Sequence, residues 1–442
     1  MFPARRLLLA LAPWLALGVL AVPWRGLIPA WWALGALTAL LAAVDALRTL
    51  RTPLPDAGRR VAGSLPLGAW SEVRLRLRNP GPRPLRLEVH DHHPVAFDVA
   101  GQPRGVALEP GTWAELRYAL RPLRRGRHAF GPVQAFLASP WGLWSRDIRL
   151  GEPQDVKVYP NFAAVAKYAL LATDQRLSQL GVLKKRRRGE GLEFHQLREY
   201  RVGDASRQVD WKATSRMRKL ISREYQDERD QQVFFLLDCG RRMRALEQEG
   251  GDGLSHFDHA LNAVLLLSYV ALRQGDAVGL LSFAGDKRFL RPRKSVATVN
   301  RLLNELYDLD ATPRAPDYLE AAREAMVRLP KRSLVVVVSN VRDEDDETLA
   351  PALRLMQKRH LVLLASLRER ELDRVLDAKA GEPVQDFPGA LRAGALHEYL
   401  RHRRAAFERL RGLGVQTLDV VPDRLAVSLV NRYLELKGSG RL

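Results

Sequence analysis

Two carboxylates, Asp238 and Asp317, and one thiol, Cys239, lie in the C-terminal half of the chain where apolar runs give way to loops. Val233-Phe-Phe-Leu-Leu-Asp238 reads as a continuous apolar strand ending in a carboxylate, and Leu334-Val-Val-Val-Val-Ser339 as a second, followed by Asn340. Sheets built from such strands bind ligands beyond the strands' carboxyl ends, so Asp238, Asp317 and Ser339-Asn340 are the candidate positions for acid–base chemistry. Cys239 is nucleophilic if Arg241 or Arg242 lowers its pKa, but no histidine is placed by sequence to act as its base. A hydrolase working through Asp238, Asp317 or Cys239 is one reading of this half. No phosphate loop of the Walker type occurs, which excludes nucleotide hydrolysis by that route. His90, His92 and His93 flank Asp91 in a VHDHHP sequence, and such residues can ligate zinc. They stand at a strand end beside Pro94 with no cysteine partner, and read as a solvated turn.

A second kind of chemistry is ionic. Glu193 to Arg216 is packed with arginine, aspartate and glutamate, interleaved with Tyr200, Val209 and Trp211. The arginine fork suits carboxylates, so Arg198, Arg207 and Arg216 are expected to pair with Glu199, Asp204 and Asp210. Gly203-Asp204 marks a turn, and Trp211-Lys212-Ala-Thr-Ser-Arg216 can start a helix. The segment is either an ion-pair network fastening it to the following domain or a partner-binding surface. Just before it, Lys184, Lys185, Arg186, Arg187 and Arg188 form an unbroken basic run. That run reads as a solvated loop, or as a site for anionic lipid or nucleic acid.

These residues need elements to hold them. From residue 232 onward, apolar strands alternate with helical patterns: strands at 233–238, 277–284, 334–339, 361–366 and 415–420, helices between them. Strict alternation with continuous apolar strands predicts a doubly wound, mostly parallel sheet. Gly285-Asp286 predicts a hairpin to an antiparallel edge at 287–290. Residues 60–160 differ. Glu72-Val-Arg-Leu-Arg-Leu-Arg78 alternates polar and apolar residues, as do Leu85 to Val89 and Trp113 to Leu120, with Asn79-Pro-Gly-Pro and Pro110-Gly111 as turns. Short alternating strands with regular turns predict a small β-sandwich. Residues 161–231 are expected to form a helical, basic and charged connecting segment.

The first 50 residues hold two uncharged apolar runs, Leu7 to Val22 and Leu27 to Val44, interrupted by Pro23-Trp-Arg-Gly26. A spanning helix needs about 20 apolar residues, and a transmembrane hairpin is the expectation. Arg5 and Arg6 precede it, and Arg48, Arg51, Arg59 and Arg60 follow. Positive flanks prefer the cytoplasmic side, which predicts an inner-membrane protein of two spans with its body in the cytoplasm. A cleaved signal peptide is the alternative, but it leaves the second run unexplained.

The chain has 442 residues and a formal net charge of +20. That charge favours an anionic membrane surface or nucleic acid, although arginine excess also follows from GC-rich coding. No aromatics are spaced among the basic residues as in single-strand binders, so nucleic acid is the less favoured partner. One cysteine excludes an internal disulfide framework. Nothing in the sequence calls for a cofactor.

The LREYRVGDASRQVDWKATSR segment, followed by VFFLLDCG, GDAVGLLSFAGD and LVVVVSN, resembles the bacterial domain-of-unknown-function 58 family, relatives of von Willebrand factor A domains. The similarity runs from about residue 120 to 436 and includes Ser139-Pro-Trp-Gly-Leu. It implies an α/β fold: a doubly wound, mostly parallel von Willebrand factor A-like sheet, preceded by a two-helix transmembrane hairpin and a small β-sandwich. It also implies a non-enzymatic membrane adaptor that works with MoxR-type AAA+ ATPases and other membrane-complex proteins. The resemblance further implies a divalent-metal motif, Asp-x-Ser-x-Ser, after the first strand. Here that motif reads Asp238-Cys239-Gly240-Arg241-Arg242, so Gly240 and Arg242 replace both serines. Asp317 stands where a threonine is expected, and Asn340 replaces an aspartate. Magnesium needs oxygen ligands in near-octahedral geometry, so the site reads as degenerate and metal-free.

Overall fold

The computed structural model describes residues 1–102, 104–161, 193–201, 204, 206–226, 231–246, 253–295, 297–342, 345–370 and 387–442. Met1–Tyr159 and Pro160–Leu442 form separate compact units.

The first unit opens with strand β1 (Phe2–Pro3), helix α1 (Arg5–Ala21) and helix α2 (Ile28–Leu50). Strands follow: β2 (Asp56–Arg60), β3 (Ser64–Pro66), β4 (Ser71–Arg78), β5 (Leu85–Asp91), β6 (Phe97–Ala100), β7 (Arg104–Leu108), β8 (Trp113–Pro122), β9 (Gly126–Phe130), β10 (Val133–Ala138), β11 (Trp144–Leu150) and β12 (Gln154–Tyr159). Alternation of apolar and charged residues gives β4 and β5 one buried face each: Val73, Leu75 and Leu77 on β4, Leu85, Leu87 and Val89 on β5. Two antiparallel sheets, in the orders β2-β4-β8-β6 and β1-β11-β10-β5-β7, supply these faces. Leu75, Leu77, Leu87, Leu108, Leu137 and Ile148 meet in one sandwich core.

The helical N-terminus corrects the expected hairpin. Among the described residues, only the stretch Arg25–Leu50 is long and apolar enough to cross a membrane. Helix α1 has 17 residues with Pro13 inside it. At about 1.5 Å per residue it rises roughly 25 Å, short of a hydrocarbon core of about 30 Å. It lies beside α2, where Trp14 stacks on Trp31 with ring centroids 5.4 Å apart. The apolar side chains of α2 are bare: Trp32, Leu37 and Leu40 are all more than half exposed, as a lipid-facing helix requires.

In the second unit, β13 (Glu193–Glu199), α3 (Trp211–Met217) and β14 (Ile221–Gln226) form a helix-bearing hairpin. Then come β15 (Gln232–Asp238), α4 (His256–Arg273), β16 (Ala277–Phe283), β17 (Phe289–Arg293), α5 (Ala297–Leu306), α6 (Tyr318–Arg328), β18 (Leu334–Ser339), α7 (Asp346–Gln357), β19 (Leu361–Leu367), α8 (Phe387–Gly412), β20 (Gln416–Val420) and α9 (Pro422–Gly438). Six strands join in the order β17-β16-β15-β18-β19-β20. Pairing is parallel except at the β17 edge. Leu261, Leu265, Leu429 and Tyr433 bury against one face of this sheet and Ala322, Leu353 and Phe407 against the other. A capping box of Ser255 and Asp258 starts α4.

The expected fold class is overturned as a description of this chain. Of the five sheets among the described residues, three pair their strands only antiparallel and the other two are mixed. A doubly wound parallel sheet of von Willebrand factor A type, behind a two-helix span, does not describe that. The physical reason lies in the connections. Short turn-linked strands with period-two patterning close as hairpins, which are antiparallel, and such strands fill residues 56–159.

Candidate functional site

The carboxyl ends of β15 and β18 bring Asp238 and Ser339 together across adjacent parallel strands. Asp238 is 1% exposed. Its Oδ1 accepts the Gly240 amide at 2.7 Å and its Oδ2 accepts the Ser339 hydroxyl at 2.6 Å. Tyr318, at the start of α6, has its hydroxyl 2.8 Å from Ser339 Oγ. A serine hydroxyl carries one proton, so while Asp238 is ionised the proton order runs from Tyr318 to Ser339 to Asp238. Burial pushes the Asp238 carboxyl up to about 6, against the hydrogen bonds from Ser339 and Gly240. Burial and the nearby Asp238 push the Tyr318 hydroxyl well above its ordinary range.

Gly240 allows this approach. A Cβ there would lie 2.9 Å from Asp238 Oδ1 and 3.1 Å from the Arg314 carbonyl. The other replaced motif position, Arg242, forms a near-buried ion pair with Asp345. Asn340 donates to Glu369 Oε1 at 3.0 Å, and its Nδ2 lies 3.4 Å from His256 Nδ1. Arg342 closes on the same Glu369 oxygen at 3.2 Å. Burial opposes ionisation of Glu369, but the Asn340 amide and the Arg342 and Arg403 charges hold its carboxyl below the usual range. Asp317 stands apart in role: it caps α6 by accepting the Glu320 amide at 2.9 Å. Cys239 is fully buried, and behaves as a small apolar side chain under the strand end.

Several members of this cluster escaped the sequence reading. Tyr318, Asp345, Glu369 and Arg403 all contribute. Arg403 of α8 is 3% exposed and grips both Asp419 oxygens, at 2.8 and 3.2 Å, together with the Leu367 carbonyl at 3.0 Å. It fastens α8 to the ends of β19 and β20. The available signal was position: Asp345 and Glu369 each lie within a few residues of a strand's carboxyl end.

The charged segment forms a different kind of surface. Arg198 holds Asp204 with two bonds, at 2.7 and 2.8 Å, and Tyr200 donates to the Asp204 carbonyl at 3.1 Å. Hydrogen bonding from Arg198 keeps the Asp204 carboxyl below its ordinary range. Asp210 caps α3 by accepting the Lys212 and Ala213 amides, both at 3.0 Å, and pairs with Arg223 at 2.8 Å rather than with Arg216. Glu199 pairs with Lys219 at 3.0 Å. Arg218 ends α3 in the left-handed region, at φ 50°. The result is a braced helix whose Trp211 and Met217 are 69% and 64% exposed, flanked by exposed Lys212 and Arg216. Gly203, the side chain of Arg207 and the basic run Lys184, Lys185, Arg186, Arg187 and Arg188 lie outside the described residues.

In the first unit Asp91 is no part of a solvated turn. It is 1% exposed, pairs with Arg59, and accepts the Tyr118 hydroxyl at 2.6 Å. His92 and His93 instead bond to Gln134 and to the Pro94 carbonyl. Among the described residues no three His, Cys, Asp or Glu side chains are grouped to hold a metal ion.

A family model described as "Protein of unknown function DUF58" matches residues 196–392. The match does not extend to the von Willebrand factor A-like description. No curated protein matches the chain. Among solved structures, a Salmonella alpha-2-macroglobulin reacted with methylamine is 22% identical over 24% of this chain and 7% of its own, with a TM-score of 0.19. An Escherichia coli alpha-2-macroglobulin fragment is 18% identical over 24% of this chain and 17% of its own, with a TM-score of 0.20. This chain therefore spans less than a fifth of either macroglobulin chain. An aerotolerance-related membrane protein from Bacteroides fragilis is 16% identical over 46% of this chain and 98% of its own, with a TM-score of 0.28. Scores this low leave these likenesses without bearing on fold or role.

Proposed function

Residues 196–392 make this chain a member of the domain-of-unknown-function 58 family, and from that premise we propose a membrane-tethered, non-enzymatic adaptor. Its partner is a MoxR-type AAA+ ATPase, or another component of a membrane complex, as the family resemblance implies. One observation carries the reading. Trp211 and Met217 project from a short helix braced by the Asp210 cap and the Arg223 pair, with most of their surface exposed. Exposed aromatic anchors on a pre-ordered element, with cations beside them, are the composition of binding hot spots. The strand-end cluster supports the same reading over a hydrolase, because both oxygens of buried Asp238 are already engaged by Gly240 and Ser339. The tether is α2, and the arginines after it put the body on the cytoplasmic side by the positive-inside rule.

Co-purification of the full chain from detergent-solubilised membranes tests this. The expected result is an AAA+ ATPase recovered with the native chain and reduced about tenfold in Trp211→Ala/Met217→Ala, with an unchanged melting temperature. A native chain that recovers no ATPase and no other membrane-complex protein would sink the proposal.

A further inference from the structure

Within the first unit a groove of about 830 Å³ opens where α1 begins and just beyond the end of α2. Arg5, Arg6, Arg83 and Arg86 line it, with Glu109 as its one acidic residue, and Thr52 two residues past α2. All four arginines are exposed. None of the four has a carboxylate within ion-pair distance among the described residues. Like charges gathered without counterions cost free energy, so the arrangement calls for an anion. The backbone is shaped to the same end. Gly142 sits at φ 73°, and a Cβ there would lie 3.1 Å from Arg6 Cδ and 3.2 Å from Arg6 Nη1. Helix α1 starts at the groove with no acidic residue in its first turn and no side-chain cap, leaving first-turn amides that favour negative charge.

The groove's place identifies the anion's source. Ala4 donates to the Leu143 carbonyl at 2.8 Å, and Asp45 near the end of α2 accepts the Trp141 and Leu143 amides. The loop 139–143 therefore pins the groove to the basic end of the spanning helix, where Arg48 lies over the Trp141 ring at 4.9 Å. At that level the abundant anions are lipid phosphates.

We propose that Arg5, Arg6, Arg83 and Arg86 form a binding site for the phosphodiester headgroup of an anionic phospholipid. Arginine forks engage phosphate oxygens in pairs. The site is independent of the adaptor surface at Trp211, and either can fail without the other.

The test uses the full chain in nanodiscs of mixed phosphatidylglycerol and phosphatidylcholine, released for native mass spectrometry. The native chain is expected to retain phosphatidylglycerol in preference to phosphatidylcholine. Replacing the four arginines with glutamine should lower that retention about tenfold or more. Four lysines, which keep the charge but not the fork, should hold retention between the native and glutamine levels, which separates loss of charge from loss of fold. Removing two exposed arginines elsewhere, Arg291→Gln/Arg301→Gln, should change nothing. Equal retention of both lipids, or undiminished retention in the glutamine variant, would overturn the proposal. So would displacement of the lipid by millimolar inorganic phosphate, which would make this a soluble-phosphate site.

Discussion

The carboxylate of Asp45, fully buried on a helix otherwise built for lipid, accepts the backbone amide of Trp141 at 3.1 Å. The Leu143 amide joins it at 3.3 Å, and Trp144 returns a bond from its indole to the Ala42 carbonyl at 2.9 Å. A charge at the end of an apolar helix thus serves as a fastener for a loop of the β-sandwich. Charge-assisted bonds of this kind contribute about 1.5–3 kcal/mol each.

Asp45→Ala should therefore release the loop 139–143 from α2. In detergent, limited proteolysis within that loop should accelerate, and the melting temperature should fall by several degrees. Unchanged cleavage would show that the sandwich holds the loop without Asp45.

Arg403 is the corresponding fastener in the second unit. Its removal leaves the Asp419 carboxylate and the Leu367 and Val341 carbonyls without their shared donor. Breaking such a pair costs about 3–5 kcal/mol, so Arg403→Ala should lower the denaturant midpoint sharply. Arg403→Lys should recover little, because one ammonium cannot reproduce the fork.

Asp238 makes a pH prediction with a definite sign. Its carboxyl rises from an ordinary 3.8 to about 6 on folding. The folded chain then holds more protons than the unfolded chain between about pH 4 and pH 6, so this group's contribution to stability falls as pH rises through that window. Chemical denaturation across the window should show the decline in the native chain. In Asp238→Asn this decline should flatten, and a parallel slope in both chains would refute the assignment.

Asp210 should separate bracing from contact. Asp210→Ala removes the α3 cap and the Arg223 partner, at a cost of about 1 kcal/mol to the helix, yet leaves Trp211 in place. Partner recovery should fall less in Asp210→Ala than in Trp211→Ala. Equal recovery in both variants and the native chain would remove this surface from the function.

Patterns confined to one element were legible in the sequence. The alternation of Glu72 to Arg78 became β4 with three buried apolar side chains, and the unbroken apolar run of 334–339 became a strand buried along its length. The uncharged stretch from Leu27 to Val44 lies in the one helical stretch among the described residues that is long and apolar enough to cross a membrane. The same local rule failed at α1, where composition was right and length, with Pro13, was not.

What the sequence by itself determined, then, is where strands, turns and the long apolar helix fall, because side-chain periodicity and backbone preference act over a few residues. Only the tertiary structure decided which charges meet. Asp238 and Ser339 are 101 residues apart, Arg242 and Asp345 are 103 apart, and Arg59 reaches Asp91 across 32. Such pairings follow from sheet order and register, which no local pattern encodes. They turned Asp238, which looked reactive in the sequence, into a buried, hydrogen-bonded part of the scaffold, and left Trp211 and four arginines facing outward.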